Sequence, residues 1–424
     1  MPQTLTLDIV KQAVAGTAAA FRRVVELQPA GGPGAKVFPP THLADEDGNK
    51  YATEQRRIDG KVEECVLLDS VQSQANRMEM ALQDAIEIGR IALPLIAVDF
   101  SNTPVAVYVD KITSLQAPHR IADAILRDSL LDGKEFRSES EIGVALDRAN
   151  ARNATVLFEH CPTALVFGMW DSTALHRKSD LGVKIPRAIT SEIIGVGVVK
   201  GRRTSSRIDP LQIVSRDIYE ARAGGWTADR AQAKLDEKGN PISFKDGRPS
   251  SINHSNQPPT IEDGGFTMER AQQITVLSLP ALRRLKFPID GVAKAETDSA
   301  ARVVLASLAL CAATLASEQG YDLRSNCLLV ATSPFVWKLI DQPGKESPEF
   351  GLTGEQAVAI FRQAVEEAKA KGLLWRESEL TLKPQERLVG LIMQSRTFNE
   401  AEGDGKATTR RGGKPRAEED KGAE

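Results

Sequence analysis

The sequence predicts an α+β protein, in which helices pack against a sheet that mixes parallel and antiparallel strand pairs. Two observations predict this class. Short stretches rich in apolar and β-branched residues alternate with longer segments in which apolar residues recur at helical spacing. Hydrophobic residues make up 41% of the 424 residues, which is enough to form the core of one large elaborated domain or of two to three small ones.

The N-terminal part is predicted to begin with a helix and to continue with strands. Residues 5–27 carry an apolar stripe at helical spacing, which Pro29 and the glycine-rich loop 31–34 should end. A mainly helical stretch is predicted at 120–150. The predicted strands are 62–69, 95–100, 105–109, 155–158 and 164–170, with the second and third joined as a hairpin.

The remainder of the chain returns to a folded pattern after a long polar segment. Residues 220–268 contain many glycine and proline turns and few large apolar residues, which predicts an insertion outside the core. Beyond Phe398 no apolar residue is larger than alanine, so the tail is expected to be disordered. The predicted elements are strands 193–199, 274–279 and 327–332 and helices 300–317 and 354–371.

This order of elements fits a ferredoxin-like sheet with large insertions. The predicted division is an N-terminal part of the sheet domain with helical insertions at 1–219, the polar insertion at 220–268, the C-terminal part of the sheet domain at 269–398 and the tail at 399–424.

The most informative segment is the one in which an apolar strand runs into a helix at Ser70. Ser70 is a predicted N-cap, and Val71, Ala75, Met78, Leu82 and Ile86 fall on one apolar stripe. The exposed start of the helix instead carries hydrogen-bonding side chains: Gln72, Ser73, Asn76 and Arg77. Unpaired N–H groups and the helix dipole favour an anion such as phosphate at this end. The alternative is a solvated face on an ordinary helix.

Basic residues are concentrated between Arg177 and Arg216. Nine Lys and Arg side chains in this stretch accompany three Asp and Glu, a local charge of +6 in a chain of net charge −3. One concentrated basic track suits nucleic acid better than a uniformly charged surface would, although a solvated charged face is the alternative.

The loop before Lys36 superficially resembles a nucleotide-binding loop. A Walker A motif requires Gly-Lys-Ser/Thr after a strand, whereas here Ala35 and Val37 flank the lysine. Nucleotide binding is therefore not expected at this loop. A glycine-rich bend that presents one lysine still suits an RNA phosphate.

Other classes of site are not expected. The four cysteines are scattered and include no CxxC pair, which predicts buried thiols in a reducing cytoplasm. His160, Cys161 and His176 have no spacing typical of a metal site, and no cofactor is predicted. The longest apolar run, 303–316, is shorter than the roughly 20 residues of a bilayer crossing. The N-terminus has neither the basic start nor the apolar block of a signal peptide.

Several long blocks together resemble one protein family. The blocks at 28–41, 51–57, 65–79, 183–195, 249–256 and 277–287 resemble the backbone subunit of the type I-G, formerly I-U, CRISPR Cascade complex, a member of the RAMP superfamily of guide-RNA-binding proteins. The resemblance covers most of the chain in order. Blocks of this length at matching spacing are more specific than any short motif.

The resemblance implies an RRM-like palm with thumb and finger regions and a non-catalytic role in antiviral defence. Several copies would polymerise along one CRISPR RNA and present the guide for pairing with target DNA, together with other Cascade subunits and a recruited helicase-nuclease. We place the thumb in 220–268. A subunit that serves every guide must hold sugar and phosphate and leave base edges free. Aromatic residues are only 5% of the chain, so base stacking is not expected as the main binding mode.

The residues expected to contact RNA come from the start of the helix at Ser70, the basic track, the loop before Lys36 and the polar insertion. They are Lys36, Gln72, Ser73, Asn76, Arg77, Arg177, Lys178, Lys184, Arg187, Lys200, Arg202, Arg203, Arg207, Asn253 and His254. Two alternatives remain open. A ribonuclease of the same superfamily would use Asp69, Asp171 or His254 in catalysis, and a scaffold subunit would bind no RNA.

Overall fold

The computed structural model describes residues 2–43, 48–171, 183–213 and 217–403. By its internal contacts the chain divides into two units. Unit 1 consists of Met1–Arg202 and Asp263–Val389, and unit 2 consists of Arg203–Glu262 and Gly390–Glu424. The limits predicted from sequence for the polar insertion, 220 and 268, differ from these.

The protein is a mixed α+β structure. The strands are β1 (Gln3–Thr4), β2 (Ala20–Pro29), β3 (Thr53–Ile58), β4 (Lys61–Asp69), β5 (Ile96–Asp99), β6 (Lys111–Thr113), β7 (Ser129–Leu131), β8 (Lys134–Glu135), β9 (Met169–Asp171), β10 (Val183–Ile185), β11 (Ile189–Val196), β12 (Val199–Arg207), β13 (Tyr219–Glu220), β14 (Trp226–Thr227), β15 (Gln257–Thr267), β16 (Arg270–Ser278), β17 (Tyr321–Arg324), β18 (Cys327–Ala331), β19 (Val336–Ile340), β20 (Glu349–Gly351) and β21 (Leu380–Pro384).

The α-helices connect or cover these strands. They are α1 (Leu7–Ala15), α2 (Val71–Glu87), α3 (Ala124–Arg127), α4 (Phe136–Glu139), α5 (Glu141–Arg148), α6 (Thr155–His160), α7 (Thr163–Phe167), α8 (Leu279–Arg283), α9 (Ala295–Glu318), α10 (Gly354–Lys369) and α11 (Glu386–Gly403). Single 3-10 turns lie at Pro104–Val107, Arg120–Ala122, Arg230–Gln232 and Pro249–Ile252.

Unit 1 is built on a ten-stranded sheet. Its main path runs β1-β20-β19-β2-β16-β11-β4-β3, and β18 also pairs with β2 while β17 pairs with β18. Strands β2 and β11 are both antiparallel to β16, so they are parallel to each other, and α2 lies between them in the chain. Likewise β16 and β18 are both antiparallel to β2, and α9 lies between them. Two crossovers through helices therefore link the four central strands.

Helix α9 lies at the centre of the helical layer and contacts α1, α2 and α10. By length and composition it could cross a membrane, but 78% of its most apolar window is buried within the protein. That burial is typical of a core helix, as expected for the apolar run at 303–316. The predicted helices 300–317 and 354–371 are confirmed as α9 and α10, and Thr353 caps α10 with a complete capping box.

The predicted single helix at 5–27 is wrong. Helix α1 ends at Ala15, and β2 follows from Ala20 to Pro29 with alternating buried and exposed residues. The sequence of β2 does not show this alternation of apolar and polar residues, because Arg23, a charged residue, occupies one of the buried positions. Its guanidinium donates hydrogen bonds to the carbonyl of Ala313 and the hydroxyl of Ser317 on α9 and lies 4.9 Å from the ring centroid of Trp337.

Three other short predictions are also wrong. Residues 105–109 contain a 3-10 turn capped by Thr103 rather than a strand, and β5 forms its hairpin with β6 instead. Residues 155–158 belong to α6, and most of 164–170 is α7, with only the last two residues entering β9. Short apolar runs fit a buried helix and a buried strand equally well, so periodicity could not separate them.

Two further features concern the C-terminal end of the chain. Strand β21 pairs in parallel with β5 in a second sheet of order β6-β5-β21-β7-β8. Helix α11 extends to Gly403, so the first five residues of the tail predicted to be disordered are helical. Residues 404–424 of that tail lie outside the described residues.

Val24 and Val25 provide a direct test of the strand assignment. Val25 is fully buried and Val24 is 40% exposed, because neighbouring residues of a strand point to opposite faces. We expect Val25→Ala to lower the free energy of unfolding by about 2 kcal/mol and Val24→Ala by less than about 0.5 kcal/mol. Urea unfolding of the two variants measures the difference, and equal losses would contradict the alternation in β2.

Candidate RNA-binding surface

The start of α2 is built as the sequence predicts. Strand β4 ends at Asp69, and Ser70 adopts an extended conformation in which its hydroxyl accepts a hydrogen bond from the backbone N–H of Ser73 at 3.2 Å. The predicted cap is therefore confirmed. The buried stripe of α2 includes Ala75, Met78 and Leu82 as expected.

The polar side of this helix is less free than expected, because Asp69 engages much of it. The Asp69 carboxylate is fully buried and accepts hydrogen bonds from Ser73 Oγ at 2.8 Å, Gln74 Nε2 at 2.6 Å and Arg77 Nε at 2.9 Å. Arg324 Nη2 adds a fourth at 3.2 Å. The polar groups of Ser73 and Arg77 thus bond within the protein, which sequence reasoning did not anticipate.

Arg77 is anchored at its other end as well. Its guanidinium donates to the carbonyl oxygens of Asp322 and Leu323, in strand β17. By contrast, Gln72 and Asn76 are exposed on the same helix. Of the four predicted contacts on α2, these two present their side chains to solvent.

A buried polar network continues from Gln74 beneath the helix. Its side-chain oxygen accepts hydrogen bonds from Ser191 Oγ at 2.9 Å and Gln273 Nε2 at 2.8 Å, and Gln273 accepts one from the hydroxyl of Tyr321 at 3.0 Å. These bonds link α2 to β11, β16 and β17. Because each of these side chains has a hydrogen-bond partner within the network, the network stabilises the interior and is not a binding site.

Lys36 lies beside the start of β12. Its ammonium donates to the carbonyl oxygen of Arg202 at 2.6 Å. A Cβ added at Gly201 would lie 2.9 Å from Lys36 Cδ, so the lysine side chain packs closely against the strand at this glycine. The bend at 31–34 does deliver Lys36 to the basic track, a pairing that the sequence alone did not indicate.

Strand β12 carries four of the predicted contacts, and its partner β15 supplies carboxylates. Lys200 Nζ lies 3.1 Å from Asp263, and Arg202 Nε lies 4.0 Å from the same side chain. These acidic residues are distant from the basic track in sequence, and only the pairing of β12 with β15 brings them beside it. Exposed pairs of this kind contribute little to stability and exchange easily for other partners.

The same pattern continues along β12 within unit 2. Arg203 Nη2 lies 3.0 Å from Glu262, both side chains are about half exposed, and Ser205 hydrogen-bonds Thr260 at 2.7 Å. Arg207 is half-buried at the end of the strand.

The remaining basic residues lie before β11. Lys184 is exposed in β10, whereas Arg187 is half-buried. Burial lowers the pKa of Arg187, and its Nε has no hydrogen-bond partner among the described residues. Arg177 and Lys178 lie outside the described residues.

The carboxylate of Glu79 is buried near Arg187 and forms a two-pronged ion pair with Arg120, at 2.6 and 2.7 Å. Burial raises the pKa of Glu79 to about 7, although Arg120 and Arg187 oppose the shift. The Glu79–Arg120 pair is buried, so it belongs to the interior and not to the candidate RNA-binding surface.

Asn253 and His254 lie in a tightly bonded loop of unit 2. Asn253 adopts a left-handed conformation, and His254 Nδ1 lies 4.0 Å from the buried carboxylate of Asp209. Backbone hydrogen bonds from Ser255, Leu211 and Ile213 lower the pKa of Asp209. The imidazole of His254 is therefore partly enclosed. Asp209 accepts the hydrogen bonds that hold this loop, a role that the sequence did not indicate.

The two carboxylates considered for catalysis both pair with arginine. Asp69 bonds to Arg77 and Arg324, and Asp171 accepts from Arg137 Nη2 at 2.6 Å. Arg137 also pairs with Asp147. Within the described residues no group of three or more His, Cys, Asp and Glu side chains could hold a metal ion.

Comparison with known proteins gives one family and one structure of note. Residues 22–200 match the model of a family described as CRISPR-associated protein GSU0053. A search of the solved structures gives a chain of a "CRISPR RNA-guided surveillance complex, pre-nicking", with 11% identity and a TM-score of 0.32 over 88% of this chain and 99% of that chain. A search of the curated proteins found no match.

Arg77 separates a structural role from a binding role. We expect Arg77→Ala to lower the free energy of unfolding by about 1 to 3 kcal/mol, because Asp69 and two carbonyl oxygens lose a donor. Gln72→Ala and Asn76→Ala are matched controls on the same helix. Each should change the free energy of unfolding by less than about 0.5 kcal/mol. Urea unfolding gives these values, and an Arg77 variant as stable as the controls would contradict the structural role.

Glu79 should make stability depend on pH. Its pKa in the folded protein lies above the usual value of 4.5, so protonation favours the folded state. This contribution is fully present below about pH 4.5 and is lost as pH rises through about 7. Relative to Glu79→Gln, the wild-type protein should therefore lose stability between pH 5 and pH 8, as measured by urea unfolding. If the difference in unfolding free energy between the wild type and Glu79→Gln stays constant over this range, the ion pair with Arg120 fully offsets the effect of burial on the pKa of Glu79.

Proposed function

We propose that this chain is a non-catalytic CRISPR RNA-binding backbone subunit of a type I-G Cascade effector. In this role it polymerises along the guide in the cytoplasm and presents it for pairing with target DNA, together with other Cascade subunits and a recruited helicase-nuclease. The observation that carries the proposal is the exposed cationic strand β12, in a chain whose residues 22–200 match a CRISPR-associated family.

The arrangement of strands supports an RRM-like palm of the RAMP type. The four strands β18-β2-β16-β11 are antiparallel neighbours, and helices α2 and α9 form the two crossovers. This strand order with two helical crossovers supports the ferredoxin-like arrangement proposed from the sequence. The side of β2 that carries Arg22, Val24 and Glu26 is exposed.

The chemistry of the basic residues supports binding to the RNA backbone. Arg202 is 77% exposed, and the carboxylates near Lys200 and Arg203 are themselves exposed. Exposed arginines can exchange a surface carboxylate for phosphate, with which they form two-pronged hydrogen bonds. Contacts of this kind do not depend on base identity, as a subunit that serves every guide requires.

The pairing of the acidic residues supports a non-catalytic role. A general base needs a free carboxylate within reach of its substrate. Asp69 and Asp171 are both buried and bonded to arginine, so neither is presented to a substrate.

A triple variant tests RNA binding. We expect Arg202→Ala, Arg203→Ala and Arg207→Ala together to weaken binding to single-stranded RNA by roughly 2 to 4 kcal/mol and to reduce the salt slope of log K by about 2. Thermal stability should change little, since the removed pairs are exposed. Fluorescence anisotropy of labelled RNA at several salt concentrations measures both effects.

The matched control removes three exposed cations elsewhere, at Arg152, Lys294 and Lys345. An equal loss of affinity in the control would mean that only the total charge of the protein affects RNA binding. An unchanged salt slope in the test variant would mean that β12 is a solvent-exposed charged strand that does not contact RNA. Two scrambled RNAs of equal length should bind alike. A large difference between them would require direct base readout.

Incubation of the protein with guide and target tests the absence of catalysis. Both strands should stay intact with and without magnesium, because Asp69 and Asp171, the carboxylates considered for catalysis, are engaged by arginine. Gel electrophoresis of end-labelled strands measures the outcome. Cleavage that disappears in Asp69→Asn or Asp171→Asn would instead favour a ribonuclease.

A further inference from the structure

A small two-stranded ribbon in unit 1 exposes a tryptophan. Strand β9 pairs antiparallel with β10, and the register places Trp170 opposite Lys184. Trp170 is 65% exposed, whereas its neighbours Met169 and Asp171 are 7% and 3% exposed. A single exposed apolar side chain is common on protein surfaces, so the significance of Trp170 depends on what holds it outward and on what lies beside it.

The buried neighbours of Trp170 fix this outward direction. Asp171 pairs with the buried Arg137, and Ile185, which lies opposite Met169 in the ribbon, is buried. Side chains alternate between the two faces of a strand. Trp170 could turn inward only if Asp171 turned outward and left Arg137 with one partner fewer. The exposed indole is therefore held in place by the interior.

Among the described residues, a cation lies directly beside the indole. Lys184, its cross-strand neighbour, lies on the same face, is exposed and forms no ion pair with another described residue. Arg187 follows three residues later. The one carboxylate in the ribbon, that of Asp171, points inward and is neutralised by Arg137.

We propose that Trp170 is a stacking platform for an unpaired base of single-stranded RNA, with Lys184 at an adjacent phosphate. An exposed aromatic ring beside an unpaired cation is the pairing that binds single-stranded nucleic acid, because the ring takes the base and the cation takes the backbone. Every base has a π face, so the platform tolerates any sequence. This inference rests on the proposed function and adds a contact of a different kind, to a base rather than to phosphate.

The tryptophan content of the chain allows a direct measurement. Of its four tryptophans, Trp337 and Trp375 are buried, and Trp170 and Trp226 are exposed at 65% and 48%. RNA that stacks on one indole should quench its emission. The experiment titrates the wild-type protein, Trp170→Phe and Trp226→Phe with a labelled single-stranded RNA and records anisotropy and tryptophan emission together.

We expect RNA to quench the wild type and Trp226→Phe alike and to quench Trp170→Phe much less. Trp170→Ala should weaken binding roughly tenfold, whereas Trp170→Phe should weaken it less because phenylalanine still stacks. An abasic strand with the same number of phosphates should bind with little quenching. Lys184→Gln should reduce the affinity and the salt slope but leave the quenching at saturation unchanged.

The possible failures are distinguishable. If RNA binds but quenches Trp170→Phe as strongly as the wild type, or if the abasic strand quenches equally, the stacking proposal is overturned and the proposed function stands. If the wild type shows no anisotropy change with RNA, both fail together. If Trp170→Ala alters self-association without RNA, as measured by light scattering, and leaves RNA affinity unchanged, the tryptophan contacts protein and the proposal is overturned.

Discussion

The buried carboxylate of Asp69 is the interaction on which the arrangement of unit 1 most depends. It ends β4, accepts hydrogen bonds from three side chains of α2, and receives a fourth from Arg324 at the far end of β17. A buried ion pair is not in itself strong evidence of stability, but removal of one member is costly, by roughly 3 to 5 kcal/mol, because a charge is left without partners. Together with the buried stripe of α2 and the bonds of Gln74, this carboxylate fixes the start of the helix, where Gln72 and Asn76 remain exposed.

The basic residues divide into those that stabilise the fold and those that remain available for a ligand. Arg23, Arg120 and Arg137 are buried and have internal acceptors. Arg202 and Arg203 of β12 have exposed carboxylates beside them. Net charge, near zero for the whole chain, hides this division. Under the proposed function, the carboxylates of β15 would hold the cations in place until phosphate replaces them.

The sequence predicted the central elements well where one signal dominated. The cap at Ser70, the strand before it and the long helices α9 and α10 are confirmed, because each has a strong local pattern. Prediction failed where a buried polar residue broke the pattern, as Arg23 does in β2, and where an apolar run was too short to have a period, as in α6.

For the candidate site, residue type was predictable and partners were not. The sequence identifies Arg77 and Lys200 as cations, but Asp69 and Asp263 become their neighbours only through folding. Trp170 was not singled out, since composition cannot show that one of the four tryptophans is held outward beside a lysine. No sequence signal identifies it, because Asp171 faces the interior only through its pairing with Arg137, and Trp170 faces outward as a result.

The pairing of β21 with β5 has a consequence for synthesis of the chain. Strand β5 is complete at residue 99, but its parallel partner ends at residue 384, so the roughly 280 residues between them must emerge before the second sheet can close. The central strand β2 likewise cannot form its strand pairs until β16, β18 and β19 have been synthesised. Contacts this distant in sequence form slowly, and an unpaired strand edge invites association with other chains. On the ribosome, therefore, this protein passes through a long interval with open sheet edges, during which folding competes with aggregation.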